Sequence, residues 1–167
     1  LFGIKSKFKR PLAYDAEFCS SRFWPVTHMG RETCVLSPKI GRILSRLGYT
    51  IPKDAKNFNH LVHLKGVALG LHKDCHFLPF ITEYLSALLR LTAQCTNVTA
   101  ISPPHKFHNE YLMSCNNKTK DMLQYLYGLS EQDLTQWRAM CQHIHSLPVS
   151  IDNSITRRIL AKDIEGC

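Results

Sequence analysis

The alternation of apolar and polar residues along this chain changes rhythm once, near Ser37. Before that point the pattern is short and extended. "AEFCSSRF" and "ETCVL" are brief strand-like runs separated by "WPVTHMGR", whose Pro25 and Gly30 mark a turn region. This predicts a β-hairpin with a loop longer than the favoured two residues. From Ser37 onward the spacing is helical. "SPKIGRILSRLG" offers Ser37 as N-cap, Pro38 at the first helical position and Gly48 just past the end. Ile40, Ile43, Leu44 and Leu47 form its apolar face. A second helix is predicted over about 57–71, where His60, Leu61, Leu64, Val67, Ala68 and Leu71 recur at helical intervals, and a third over about 79–95. "NVTAISPPHKFHNE" is the clearest loop, because Pro103 and Pro104 stop any helix. Residues 117–127 read as a helix halted by Gly128. Residues 130–147 read as one that starts on a Ser130/Asp133 capping box and ends at Pro148. A last helix follows over 153–166. The fold class predicted is mainly α with a small β component, an N-terminal β-hairpin followed by five or six helices.

Length and composition add bounds. A chain of 167 residues suits one domain with a sizeable core. The longest apolar run, "FLPFITEYLSALLRLTAQC", carries Glu83 and Arg90, so a buried amphipathic helix is expected rather than a membrane span. The chain opens on Leu1 without an initiator Met, and a piece of something larger is expected. Net charge is +8 and unevenly spread. Residues 1–60 hold eleven Lys/Arg against four Asp/Glu, a net +7. That asymmetry favours a polyanionic partner, nucleic acid ahead of an anionic membrane, over a basic surface that merely keeps the chain soluble. The seven cysteines include no CxxC, which suits reduced, cytosolic thiols better than a disulfide framework. The sequons at Asn97 and Asn117 stand without a secretory signal and are read as chance.

Three constellations could carry chemistry. His72, Cys75 and His76 in "HKDCH", with His60 and His63 upstream and Cys19 or Cys34 as a fourth ligand, form the best zinc candidate. Packing is the plainer role for such residues on amphipathic helices. Hydrolase signals are weaker, with no GxSxG and no P-loop lysine motif. Asp15 and Glu17 would share one strand face and could bind a metal, though exposed rim charges are commoner. Cys19 with a distant histidine is too unspecific to make a nucleophile. The basic constellation is stronger. Lys5, Lys7 and Lys9 alternate along "GIKSKFKR" beside Arg10, and Lys39, Arg42 and Arg46 give a helical stripe. Phe8, Phe18, Phe23 and Trp24 interleave rings that could stack on bases, although filling the core is the plainer reading for the aromatics alone.

The order of the pieces "LFGIKSKFKR … AEFCSSRFWPV … LSPKIGRILSRLGY … HLKGVALGL … LPFITEYL" resembles the C-terminal part of positive-strand RNA virus RNA-directed RNA polymerases. "FGIKSK" resembles the family's motif D and "AEFCSSRF" its motif E. "PKIGRIL", "KGVALGL" and "YGLSEQDL…IHSLP" resemble segments of its thumb. The resemblance divides the chain into 1–36, the end of a palm subdomain, and 37–167, a helical thumb. It implies that Phe18, Cys19, Ser20, Ser21 and Arg22 belong to a primer-grip hairpin, and that Lys5 or Lys7 is the motif D lysine that protonates the leaving pyrophosphate. It further implies that Lys39, Arg42 and Arg46 track RNA phosphates. The implied partners are a template–product RNA duplex, nucleoside triphosphates and the remainder of the polymerase, in a cytoplasmic viral replication complex. No Gly-Asp-Asp occurs, so the aspartates that hold Mg2+ or Mn2+ in the complete enzyme would precede residue 1, and this chain alone would be inactive. The alternatives are a stand-alone basic helical nucleic-acid-binding module and, less favoured, a zinc-stabilised interaction domain.

Overall fold

The structure, a computed structural model, describes residues 13–50, 56–101, 112–147 and 149–165. Four antiparallel strands form the sheet: β1 (Glu17–Phe18), β2 (Ser21–His28), β3 (Arg31–Pro38) and β4 (Met113–Ser114). β3 pairs with β2 along its whole length, while β1 and β4 share the other side of β2 at opposite ends. The region expected to be a long turn is therefore strand. Its two connections are both two-residue loops, Cys19–Ser20 (φ 50° and 62°) and Met29–Gly30 (φ 48° and 76°). Positive φ at both positions is the type I′ geometry that matches strand twist. Pro25 is tolerated in the strand because of where it falls. Two-residue closure makes His28 and Arg31 a hydrogen-bonded pair, and alternation puts Pro25 at a non-bonded position toward β3. Its missing N–H thus faces the gap between β1 and β4, where its carbonyl accepts a bond from Thr119 Oγ1 at 2.5 Å.

Helix α1 (Ile40–Arg46) starts later than the sequence suggests. Ser37 and Pro38 are spent on β3, and the Ser37 hydroxyl meets Cys75 Sγ at 3.4 Å instead of capping a helix. The cap comes from far away: the Asp163 carboxylate accepts the Gly41 N–H at 2.8 Å, where an anion also complements the helix dipole. α2 (His60–Cys75) is capped by Asn59 and runs four residues beyond the expected end at Leu71, through His72. α3 (Pro79–Leu91) stops early, as Thr92 turns its hydroxyl onto the Leu88 carbonyl at 2.8 Å. α4 (Asn117–Tyr127) ends on left-handed Gly128, and α5 (Glu131–Gln142) begins on the reciprocal Ser130–Asp133 box, both as expected. α6 (Ser154–Leu160) runs into a π-helical turn, Ala161–Glu165. The mainly α architecture with a small N-terminal sheet is as predicted.

The core lies between the inner face of the sheet and the helices. β2 contributes Trp24 and Val26, and α1 contributes Ile40 and Ile43. α3 adds Phe80, Ile81, Leu85 and Leu88 to the core, and its Phe80 and Tyr84 rings meet Trp137 of α5, whose indole N–H donates to the Phe80 carbonyl at 2.8 Å. No helix among the described residues is long and apolar enough to cross a membrane.

Gly41 has no room for a side chain. A Cβ there would lie 2.8 Å from Asp163 Cβ and 3.1 Å from the Ile159 carbonyl oxygen. Gly41→Ala is expected to destabilise the fold by about 1–3 kcal/mol, read as a lowered urea midpoint with an unchanged m-value.

Candidate nucleic-acid interface

The β1–β2 turn, α1 and the C-terminal π turn meet at one corner of the molecule. Arg42 Nη1 donates to Ser20 Oγ at 2.6 Å, and the Lys39 N–H donates to the Ser20 carbonyl at 3.2 Å. These bonds pin a turn whose left-handed Cys19 and Ser20 each cost about 1–2 kcal/mol. Beside it opens a cleft of about 420 Å³ lined by Ser20, Lys39, Arg42, Ser45 and Arg46, with Asp163 and Ile164 on the far wall.

A buried polar network supports this corner. Arg22 (1 % exposed) reaches Asp163 (4 % exposed) at 3.1 Å and Glu17 at 2.7 Å. Tyr127 donates to both Asp163 oxygens, at 3.0 and 3.1 Å. Burial, reinforced by the neighbouring Asp163 charge, pushes the Tyr127 hydroxyl above the ordinary phenol range, so it keeps its proton and remains a donor. Glu17 also takes the Lys39 ammonium at 2.6 Å.

The residues named by resemblance fall into three groups. Phe18 and Cys19 are exposed on the turn, with Ser20 and Ser21 half-buried behind them. Arg42 is half-buried and Arg46 exposed, both on the cleft. Arg22 and Lys39 lie inside: Arg22 belongs to the Asp163 network, and Lys39 is 4 % exposed against Glu17. The expected basic stripe therefore presents Arg42 and Arg46. Helical spacing put all three cations on one face but said nothing of the carboxylate that β1 brings to the first. Lys5 and Lys7 lie outside the described residues, as do Phe8, Lys9 and Arg10. Asp163 and Tyr127 were not anticipated, and the one visible hint was Gly41, a glycine inside a well-patterned helix.

No family model, curated protein or solved structure matches this chain.

The other constellations do not assemble. Cys75 is fully buried against Ser37, and both His76 ring nitrogens meet backbone carbonyls, Lys73 at 3.0 Å and Met113 at 2.8 Å. His60 and His63 pack around the Phe58 ring. Asp15 sits in a 3₁₀ turn (Ala13–Asp15) and accepts from Tyr125, while Glu17 serves Arg22 and Lys39. Among the described residues no group of three or more His, Cys, Asp or Glu is placed to hold a metal ion. The zinc reading therefore finds no ligand set among the described residues.

All six described cysteines are free thiols. Burial pushes Cys75 from 9.0 up to about 12, and likewise Cys141. Both are expected to resist maleimide at pH 8 while Cys19 and Cys34, which are exposed, react at once; mass mapping of labelled peptides reads this out. The raised values also set a pH dependence. Above pH 9 the unfolded chain ionises these thiols first, so their contribution is complete below pH 9 and is lost as pH climbs toward 12. Asp163→Ala leaves the buried Arg22 with Glu17 alone and takes the acceptor from the Gly41 N–H and the Tyr127 hydroxyl; it is expected to cost about 3–5 kcal/mol in urea unfolding.

Proposed function

We propose that this chain is the C-terminal portion of a viral RNA-directed RNA polymerase, comprising the end of the palm and the thumb. It holds primer or product RNA by the Phe18–Ser21 turn and the Arg42/Arg46 cleft. The observation that carries the reading is the bond from Arg42 to Ser20, which fastens the FCSS turn to the first thumb-like helix and sets an exposed turn beside the half-buried Arg42 and the exposed Arg46. Guanidinium groups neutralise phosphate without reading bases, as a polymerase indifferent to sequence requires. In this reading nucleotidyl transfer and its Mg2+ or Mn2+ belong to aspartates of the complete enzyme, working in a cytoplasmic replication complex. This chain supplies grip and support, and it is inactive by itself.

The test is RNA binding by fluorescence anisotropy across a salt series. Arg42→Glu/Arg46→Glu is expected to weaken binding to a primer–template duplex tenfold or more at low salt, and to flatten the slope of log K against log[salt] by about two. An unchanged slope removes the cleft from the interface. A preference for recessed 3′ ends over blunt duplex is expected of a primer grip; equal binding to both favours a stand-alone nucleic-acid-binding module.

A further inference from the structure

Among the described residues, one face of the sheet carries two large rings that stay exposed. Cross-strand partners share a face, so the register sets Phe18 beside Ser21 and Phe23 beside Leu36, on the side opposite Trp24 and Val26. Trp24 and Val26 are completely buried, whereas Phe18 and Phe23 expose 60 % and 43 % of their surface. Phe18, Phe23 and Leu36 take no part in the hydrophobic core. At the far end of this face, Asn116 at the start of α4 bonds Thr27 and Lys118 pairs with Glu32. The two rings are diagonal neighbours on adjacent strands, about 7–8 Å apart at their bases. Only the small Ser21 stands between them along that face.

Two large rings left exposed side by side form the kind of apolar surface that contacts a partner. Its electrostatics select the partner. The strand carboxylates Glu17 and Glu32 are both ion-paired. Around the Cys19–Ser20 turn, two residues from Phe18, lies the Arg42/Arg46 cleft. Flat apolar rings next to cations fit a polymer of flat bases on a phosphate backbone, and an aromatic-bearing sheet face is a known means of stacking unpaired bases.

The geometry points to a base-stacking platform for single-stranded RNA, on which Phe18 and Phe23 each receive one base while Arg42 and Arg46 hold phosphates of adjoining nucleotides. It rests on the reading of the chain as an RNA-binding protein and adds to it the class of strand, the mode of contact and Phe23. The site then joins a backbone-holding part to a base-holding part, so strands leaving a duplex gain contacts that paired strands lack.

The test uses a single-stranded RNA carrying 2-aminopurine, and an abasic strand with the same number of phosphates. Wild-type protein should quench 2-aminopurine and bind the normal strand about tenfold or more tightly than the abasic one. Phe18→Leu/Phe23→Leu keeps an apolar surface but removes the rings; it should abolish the quench and reduce affinity to the abasic level, with the salt slope unchanged. Arg42→Glu/Arg46→Glu should flatten the slope and keep the quench at saturating protein. Circular dichroism and the urea midpoint check that the fold survives, as expected for exposed positions. Equal binding of normal and abasic strands by wild type, or wild-type affinity in the leucine variant, overturns the platform and assigns the face to protein packing. Salt-dependent binding without base dependence removes the platform alone, whereas no RNA binding at all removes the polymerase reading with it.

Discussion

A single buried carboxylate ties the C-terminal π turn to β2, α1 and α4. Asp163 accepts from Arg22 in the second strand, from the Gly41 N–H at the start of α1 and from the Tyr127 hydroxyl at the end of α4. An ion pair out of water offers little net stability against well-packed apolar residues, but losing one partner is severe. What it fixes here is position. Arg22 follows the β1–β2 turn by two residues, and Gly41 precedes Arg42 by one, so the carboxylate determines how the turn stands against the cationic helix. Glu17 and Lys39 carry the same network outward to the edge of the cleft.

This arrangement lets a strained turn persist. Neither Cys19 nor Ser20 has the backbone freedom of the Asn-Gly pairs that usually occupy such loops. The Lys39 amide and Arg42 guanidinium hold Ser20 from one side, and the rigid β2–β3 ladder holds it from the other. The exposed tip is therefore presented on a fixed support, and the cleft next to it inherits that rigidity.

Much of the fold was legible along the sequence because local chemistry decided it. Gly128 and the Ser130–Asp133 box gave the α4–α5 junction directly. Elements decided by distant residues were not legible. Pro25 looked like a breaker because nothing local reveals that its missing N–H faces a gap between two short strands. Ser37 looked like a cap because nothing local reveals that β3 runs on and that residue 163 caps α1 instead. At the candidate site, the turn residues and the Arg42/Arg46 pair could be named from the sequence. The fates of Arg22 and Lys39 could not, because they depend on carboxylates from other elements. Alternation showed that Phe23 and Trp24 point to opposite faces, but not which face lacks a cover.

Loop length limits how this chain can vary. With only two residues between β1 and β2, the turn sets the parity of every side chain before it. One inserted residue would exchange the faces, sending Phe18 toward Asp163 and lifting Glu17 away from Arg22 and Lys39. A single-codon insertion or deletion there would dismantle the corner at one stroke, whereas a substitution at Cys19, whose side chain is exposed, would leave the Ser20–Arg42 bond in place.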